Sequence, residues 1–308
     1  MNTHSNAISG SPLESQVMAP AVISEARRMV WSVRRELWES RSVYVAPLAV
    51  AALIVVGSVI GTFHLPGRLR AAVLDVAQQH ELIEEPYMFA ALLLMFTTTI
   101  VGVFYCLDAL HGERRDRSIL FWKSLPVSDL TTVLAKASIP LVVLPLLTFA
   151  ITVATQGIML LLGAAVLLGS GLSVATLWKH LSLSQMWLML LYHLVAVHAL
   201  WWAPLWGWLL LVSAWARRAP FLWATLPLLA IGLVEKIALN TTHFAAFLDY
   251  RFGGGPESAT STASPMSMGA LTPTPVQFLT SASFWMGLVV TTAFLAAAVR
   301  LRRDRGPI

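Results

Sequence analysis

Few residues of this chain have the types and spacing that catalysis, metal binding or nucleotide binding requires. The sequence has no GxxxxGKS/T phosphate-binding loop, no HExxH zinc motif, no CxxC pair and no GxSxG nucleophile motif. His193 and His198 stand five residues apart in an apolar stretch, so a helix would point their side chains in different directions. Each is better explained as a polar side chain that faces a neighbouring helix. We therefore expect no catalytic, cofactor or metal site in this chain.

Two adjacent charges, Glu235 and Lys236, interrupt a long apolar block. At the centre of a bilayer each would cost roughly 2.5–3.5 kcal/mol, and charges at that depth often mark a transport pathway. Adjacent residues of a helix do not face each other, so the two cannot form an ion pair. The apolar stretch before them is short for a complete span, which favours a position near the outer interface. The pair is a candidate polar or gate site within the membrane.

The composition predicts that the solvent for most of this chain is a lipid bilayer. Hydrophobic residues make up 57% of the 308 residues and charged residues only 12%, about half the charged share of a soluble domain. One soluble core could not hide so much apolar surface, whereas lipid can. The net charge of +5 does not indicate nucleic acid binding, because the basic residues form short clusters beside apolar blocks.

Six apolar blocks predict an all-α integral membrane fold with six transmembrane helices. A hydrocarbon core ~30 Å thick needs about 20 helical residues. The third block stays apolar from Leu130 to Gly171 and is almost long enough for two spans. If it is one span, most lysines and arginines lie on the side of both termini, so the positive-inside rule favours six spans with both termini in the cytoplasm. The predicted spans are residues 43–63, 87–107, 133–160, 186–214, 221–239 and 283–301.

Residues 23–42 predict an amphipathic helix on the cytoplasmic membrane surface. Apolar residues recur there at spacings of three and four, with most of the charges off that face. The polar residues 1–22 are typical of a disordered cytoplasmic tail and not of a signal peptide. Two external loops (64–86 and 249–282), with re-entrant helices in 240–282 left open, and a basic cytoplasmic tail (302–308) complete the predicted organisation.

The segment between spans two and three, residues 108–130, carries the most specific signal. Charged residues crowd its first half, and an apolar run from Ile119 to Trp122 follows. Pro126 ends the short predicted helix, and Ser128 or Asp129 can cap the next one. Exposed apolar surface of this kind usually marks a docking site. The alternative is a loop that only buries Trp122 in the lipid interface.

Three features together resemble the permease subunits of ABC-2 type transporters. They are the basic helix with Arg34-Arg35-Glu36-Leu37, the sequence GERRDRSILFWKSLPVSD after span two, and a third span that opens with Lys136. The resemblance covers residues 23–140, and beyond them only span number and topology agree. In that family the loop after span two is a coupling helix that fits a groove on a separate ATP-hydrolysing subunit. The resemblance implies these ATPase-coupling residues: Glu113, Arg114, Ser118, Ile119, Leu120, Trp122, Leu125 and Pro126.

The resemblance also implies the function and the partners. We expect a permease subunit of an ATP-driven transporter, an exporter in a bacterial cytoplasmic (inner) membrane. ATP and Mg²⁺ would bind to the separate ABC ATPase subunit, so this chain would not be an enzyme. A second copy or a paralogue would complete the permease as a dimer. Two alternatives stay open: an integral membrane protease or lipid-modifying enzyme, and a non-transporting sensor or immunity subunit that docks on an ATPase.

Overall fold

A computed structural model of the chain describes residues 24–71, 76–124, 127–171, 173–175, 181–253 and 279–306, with no side chains described between 69 and 81. The predicted tail 1–22, most of the predicted loop 249–282, and Leu125 and Pro126 lie outside these residues. Within them the fold is entirely helical. The helices are α1 (Glu25–Glu39), α2 (Ser42–Ala71), α3 (Val76–Ala109), α4 (His111–Arg115), α5 (Ser118–Ser124), α6 (Asp129–Ser138), α7 (Leu144–Gly169), α8 (Leu183–Tyr192), α9 (Ala203–Trp215), α10 (Pro220–Leu239), α11 (His243–Phe252) and α12 (Ala282–Asp304).

Six helical stretches of the described residues are long and apolar enough to cross a membrane, which confirms the predicted number. Their bounds differ from the prediction at several ends. Residues 64–86 were predicted as an external loop, but α2 extends to Ala71 and α3 already begins at Val76. The six stretches are Ser42–Arg68, Leu82–Arg115, Asp129–Gly169, Leu183–Trp201, Pro220–Leu239 and Ala282–Asp304.

The third apolar block forms one continuous helical stretch. A π-helical segment, Ile139–Val143, joins α6 to α7 without a break. Pro140 and Pro145 lie at this junction and have no N–H to donate, and a π-helical turn is a common way to accommodate such a gap. The block therefore counts as one of the six candidate spans, in agreement with the predicted number.

The fourth block is divided. Helix α8 continues as a π-helix, His193–Trp201, and the chain turns at Trp202 before α9 begins. Pro204 lies in the first turn of α9, where its missing N–H costs no hydrogen bond. The contact between α9 and α12 is the most extensive one between two helices in the described part of the chain.

The core lies between α3, the third span and α9. The fully buried Trp206 packs against Gly102 of α3, where an added Cβ would lie 3.1 Å from the indole ring. Glycine at this position therefore permits the close contact of α3 with α9. One helical turn away, the hydroxyls of Thr98 and Thr148 share a 2.5 Å hydrogen bond between α3 and α7. In contrast, α10 buries only Ala224 among its described side chains.

Candidate functional site

Helices α4 and α5 are two short consecutive helices at one end of the bundle. Asp116 and Arg117 separate them, and Arg117 has a positive φ of 58°, which bends the chain sharply. The hydroxyl of Ser213, near the end of α9, accepts hydrogen bonds from the backbone N–H groups of Leu110 and His111 at 3.0 and 2.9 Å. Two N–H groups at the start of α4, which have no partner within the helix, are thus satisfied by a different span.

The ends of α9 and α12 hold this segment in place. Arg114 of α4 donates from Nη1 to the carbonyl oxygen of Ala214 at 2.7 Å. Lys123 of α5 donates to the carbonyl oxygens of Arg303 and Arg305 at 3.2 and 3.4 Å. These bonds to the last carbonyls of α12 place a cation where the helix dipole favours one. The α4–α5 segment is therefore fixed to two spans far away in the sequence.

Beneath α4 lies a group of six charged residues, here called the ionic cluster. Three carboxylates face three cations, and at the edge of the group Glu39 adds a more exposed carboxylate 3.7 Å from Arg35. Glu113 of α4 lies at its centre, because its carboxylate is 3.1 Å from Lys136 Nζ and 3.1 Å from Arg302 Nη2. Glu113, Lys136 and Arg302 are 7%, 2% and 4% exposed. The members are Arg35 and Glu36 of α1, Glu113 of α4, Asp129 and Lys136 of α6, and Arg302 of α12.

The contacts of the cluster extend to α1 and α3. Lys136 Nζ donates to Glu36 Oε2 at 2.9 Å, and the Tyr105 hydroxyl donates to the same oxygen at 3.2 Å. Arg35 donates to Glu36 Oε1 at 2.6 Å. Burial by itself raises the pKa of Glu36, but the charges and hydrogen bonds of Lys136 and Arg35 outweigh it and hold this pKa below its ordinary value of 4.5. Glu36 is thus a buried carboxylate that stays ionised.

Trp122 connects α5 to α1 on the outer side of the cluster. The guanidinium of Arg35 lies 4.0 Å above the Trp122 ring, within the range of a cation–π contact. A cleft of about 660 Å³ opens beside it, between α1, α3 and α4, with Glu36, Glu113 and Lys136 in its wall. Arg302 completes the set on the far side, where it also pairs with Asp129. Four elements separated in sequence therefore meet at Glu113.

The structure divides the predicted coupling residues into two groups. Ile119 is 1% exposed, whereas Leu120 is 58% exposed. The apolar run therefore has one side chain packed into the bundle and the next one on the surface. Ser118 donates to the carbonyl oxygen of Glu113 and is partly buried. Phe121, absent from the predicted set, is 59% exposed and forms an apolar surface with Leu120. Glu113, Arg114 and Ile119 face inward, and Trp122 is half-buried.

Sequence reasoning did not place Glu36, Asp129, Lys136 or Arg302 among the site residues. A signal was present for Lys136, because a lysine within an apolar stretch needs a buried counter-charge. No pattern in the sequence singles out Arg302 as the arginine that joins Lys136 in the cluster, since Arg300 and Arg303 lie within two residues of it.

Glu235 and Lys236 lie away from the ionic cluster, at the end of α10. The Glu235 carboxylate accepts hydrogen bonds from the N–H groups of His243 and Phe244 at 2.7 and 2.8 Å, and from the Thr241 hydroxyl at 2.7 Å. It thereby satisfies the first N–H groups of α11, as a helix cap does. Lys236 is exposed.

Within the described residues, no group of three or more histidine, cysteine, aspartate or glutamate side chains is arranged to hold a metal ion. No protein-family model, curated protein or solved structure matches this chain.

Proposed function

We propose that this chain is the permease subunit of an ABC-2 type, ATP-driven exporter and that α4 and α5 receive the movement of a separate ATPase subunit. The single observation that supports this most is the position of Glu113. It lies in the segment that resembles a coupling helix, and its carboxylate contacts cations from the first turns of the third span and the last turn of the sixth. A displacement of α4 would therefore act on both spans at once.

The exposed side of α5 supports a docking role. Leu120 and Phe121 are 58% and 59% exposed, while the neighbouring Ile119 is buried and holds the helix to the bundle. A short helix with one face packed and the other apolar and exposed fits a groove on a partner protein. In this proposal the ATPase groove covers Leu120 and Phe121, and Trp122 transmits its displacement to Arg35 of α1.

A network of buried ions suits the transmission of a movement better than an apolar contact does. Ion pairs are directional, and separating a buried pair costs several kcal/mol. Small shifts of α4 would therefore either carry α6 and α12 along or exchange one cation for another at Glu113. Two discrete arrangements of this kind are what a switching transporter needs.

The remaining parts of the proposal follow from the resemblance. The chain lies in a bacterial inner membrane with both termini in the cytoplasm, pairs with a second permease copy or a paralogue, and binds no ATP or Mg²⁺ itself. Catalysis of ATP hydrolysis belongs to the partner subunit.

The test is reconstitution with an ABC ATPase subunit that carries a phosphate-binding loop and co-purifies with this chain. The Leu120→Ala/Phe121→Ala variant should lose most of the permease-dependent stimulation of ATP hydrolysis in proteoliposomes while its thermal unfolding stays that of the wild type. Phe63→Ala is the matched control, because Phe63 is 70% exposed but lies on α2, away from α4 and α5. Equal stimulation by the double variant and the wild type would overturn the docking surface.

The sidedness of α5 can be tested separately with Phe121→Cys. The only natural cysteine, Cys106, is buried, so little background labelling is expected. A membrane-impermeant maleimide should label Phe121→Cys in inverted vesicles and not in right-side-out vesicles. The opposite result would place α5 outside the cell, where no ATPase is present.

A further inference from the structure

An apolar groove runs along α2 at the end of the bundle that faces away from the ionic cluster. Its volume is about 570 Å³, and its walls come from α2, α3 and α7. Ile83 and Phe89 of α3 and Met159 of α7 line it opposite Gly57 and Gly61 of α2. A pocket of this size is ordinary for a bound small molecule or lipid chain.

The floor of the groove is formed by glycine. A Cβ added at Gly57 or at Gly61 would meet no atom within 4 Å, so the space above both residues is open. The hydroxyls of Ser58 and Thr62, which also line the groove, donate to carbonyl oxygens of their own helix at 2.7 and 2.8 Å. The wall therefore offers little hydrogen bonding and mostly apolar contact.

Among the described side chains that line the groove, only Arg68 is charged, and it lies at one end. Arg68 is exposed, and no side chain in the described part of the chain forms an ion pair with it. From Leu53 to Arg68 the helix rises about 22 Å, whereas the hydrocarbon of one leaflet is about 15 Å deep. An acyl chain can therefore lie along the glycines while an anionic group reaches Arg68.

We propose that this groove binds an anionic glycerophospholipid, with one acyl chain over Gly57 and Gly61 and the phosphate beside Arg68. A guanidinium at the mouth of an apolar groove complements that combination of charge and chain. A transmembrane helix of a second copy fits less well. In a two-fold symmetric pair the same face of each copy meets at the interface, which would bring two Arg68 guanidiniums to the same end, whereas a phosphate supplies the opposite charge.

The experiment is native mass spectrometry of the delipidated full chain, mixed with equal amounts of phosphatidylglycerol and phosphatidylcholine. Wild type should retain phosphatidylglycerol over phosphatidylcholine by about two- to five-fold, the range expected for one exposed charge contact. Gly61→Leu should fill the groove and lower retention of both lipids by roughly ten-fold, because several methylenes lose their contacts. Arg68→Gln should keep the binding and lose the preference.

Gly67→Leu is the matched control. Gly67 lies on the same helix with open space around it but does not line the groove, so this variant should bind as the wild type does. Gly57→Leu repeats the test if Gly61→Leu does not fold. Unchanged lipid retention in the glycine variants that fill the groove would overturn the proposal. So would a lower dimer fraction with unchanged lipid retention, which would make this face a contact between copies.

Discussion

Replacement of Lys136 by methionine tests the ionic cluster most directly. Lys136 is 2% exposed, and its Nζ lies 2.9 Å from Glu36 Oε2 and 3.1 Å from Glu113 Oε1. At an effective dielectric constant of about 20, each contact has a gross attraction of about 5–6 kcal/mol. Desolvation of the three ions offsets much of this energy, so the intact pair contributes far less than the sum.

Removing one ion of a buried pair destabilises a protein by more than the intact pair stabilises it. Methionine fills a similar volume but leaves Glu36 and Glu113 without a shared cation. The expected destabilisation is about 3 kcal/mol, the lower end of the range for removing one partner of a buried ion pair, because Arg35 still contacts Glu36 and Arg302 still contacts Glu113. For a chain of this size that corresponds to a fall of roughly 5 °C in the unfolding temperature.

Unfolding can be measured through the one natural cysteine of the chain. Cys106 is the only cysteine and is buried, so a thiol-reactive fluorescent dye reports unfolding without an added label. Lys123→Met is the control, because Lys123 is an exposed lysine whose bonds are to backbone carbonyls. Its unfolding free energy should change by less than about 1 kcal/mol.

A double variant distinguishes a specific charge effect from general disruption of packing. Adding Glu36→Gln to Lys136→Met neutralises one of the two carboxylates that lost Lys136 and should restore about 1–2 kcal/mol. The reasoning is refuted if Lys136→Met unfolds within about 2 °C of the wild type, or if the second substitution only adds to the loss.

Three further outcomes are expected. Arg302→Ala should lower the unfolding temperature by several degrees, while Arg303→Ala, an exposed neighbour, should leave it unchanged; equal effects would argue against the pairing with Glu113. Because the folded-state pKa of Glu36 is below its ordinary 4.5, its stabilising contribution is present above about pH 4.5 and is lost as the pH falls through the lowered pKa. Glu36→Gln should flatten that acid loss in unfolding curves followed by tryptophan fluorescence, and an unchanged curve would contradict it. Glu235→Ala should speed amide hydrogen exchange at His243 and Phe244, as loss of a helix cap does, and an unchanged exchange rate would rule out the capping role.

The six apolar stretches could be predicted because membrane insertion depends on local composition. About 20 consecutive apolar residues suffice to cross the hydrocarbon, whatever the rest of the chain does. The same applies to the third block, where a continuous helical stretch agrees with the prediction of a single span. The π-helical segments at Ile139–Val143 and His193–Trp201 had no comparable signal, because they depend on how neighbouring helices pack.

The sequence also singled out the segment that forms α4 and α5, since charged residues next to an exposed apolar run are unusual. It did not determine which of these side chains face the bundle. The bend at Arg117 resets the direction of α5, and this places Ile119 inside and Leu120 and Phe121 outside. A one-residue difference in helical phase decides between packing and exposure.

The sequence by itself determined the class of this protein, its number of apolar helices and the segment in which to look for a site. Only the tertiary structure decided the site. Lys136 lies 100 residues from Glu36, and Arg302 lies 189 residues from Glu113. Periodicity and composition act over a few turns of helix, whereas a buried charge finds its partner through the packing of whole spans. The ionic cluster therefore exists only where α1, α4, α6 and α12 meet.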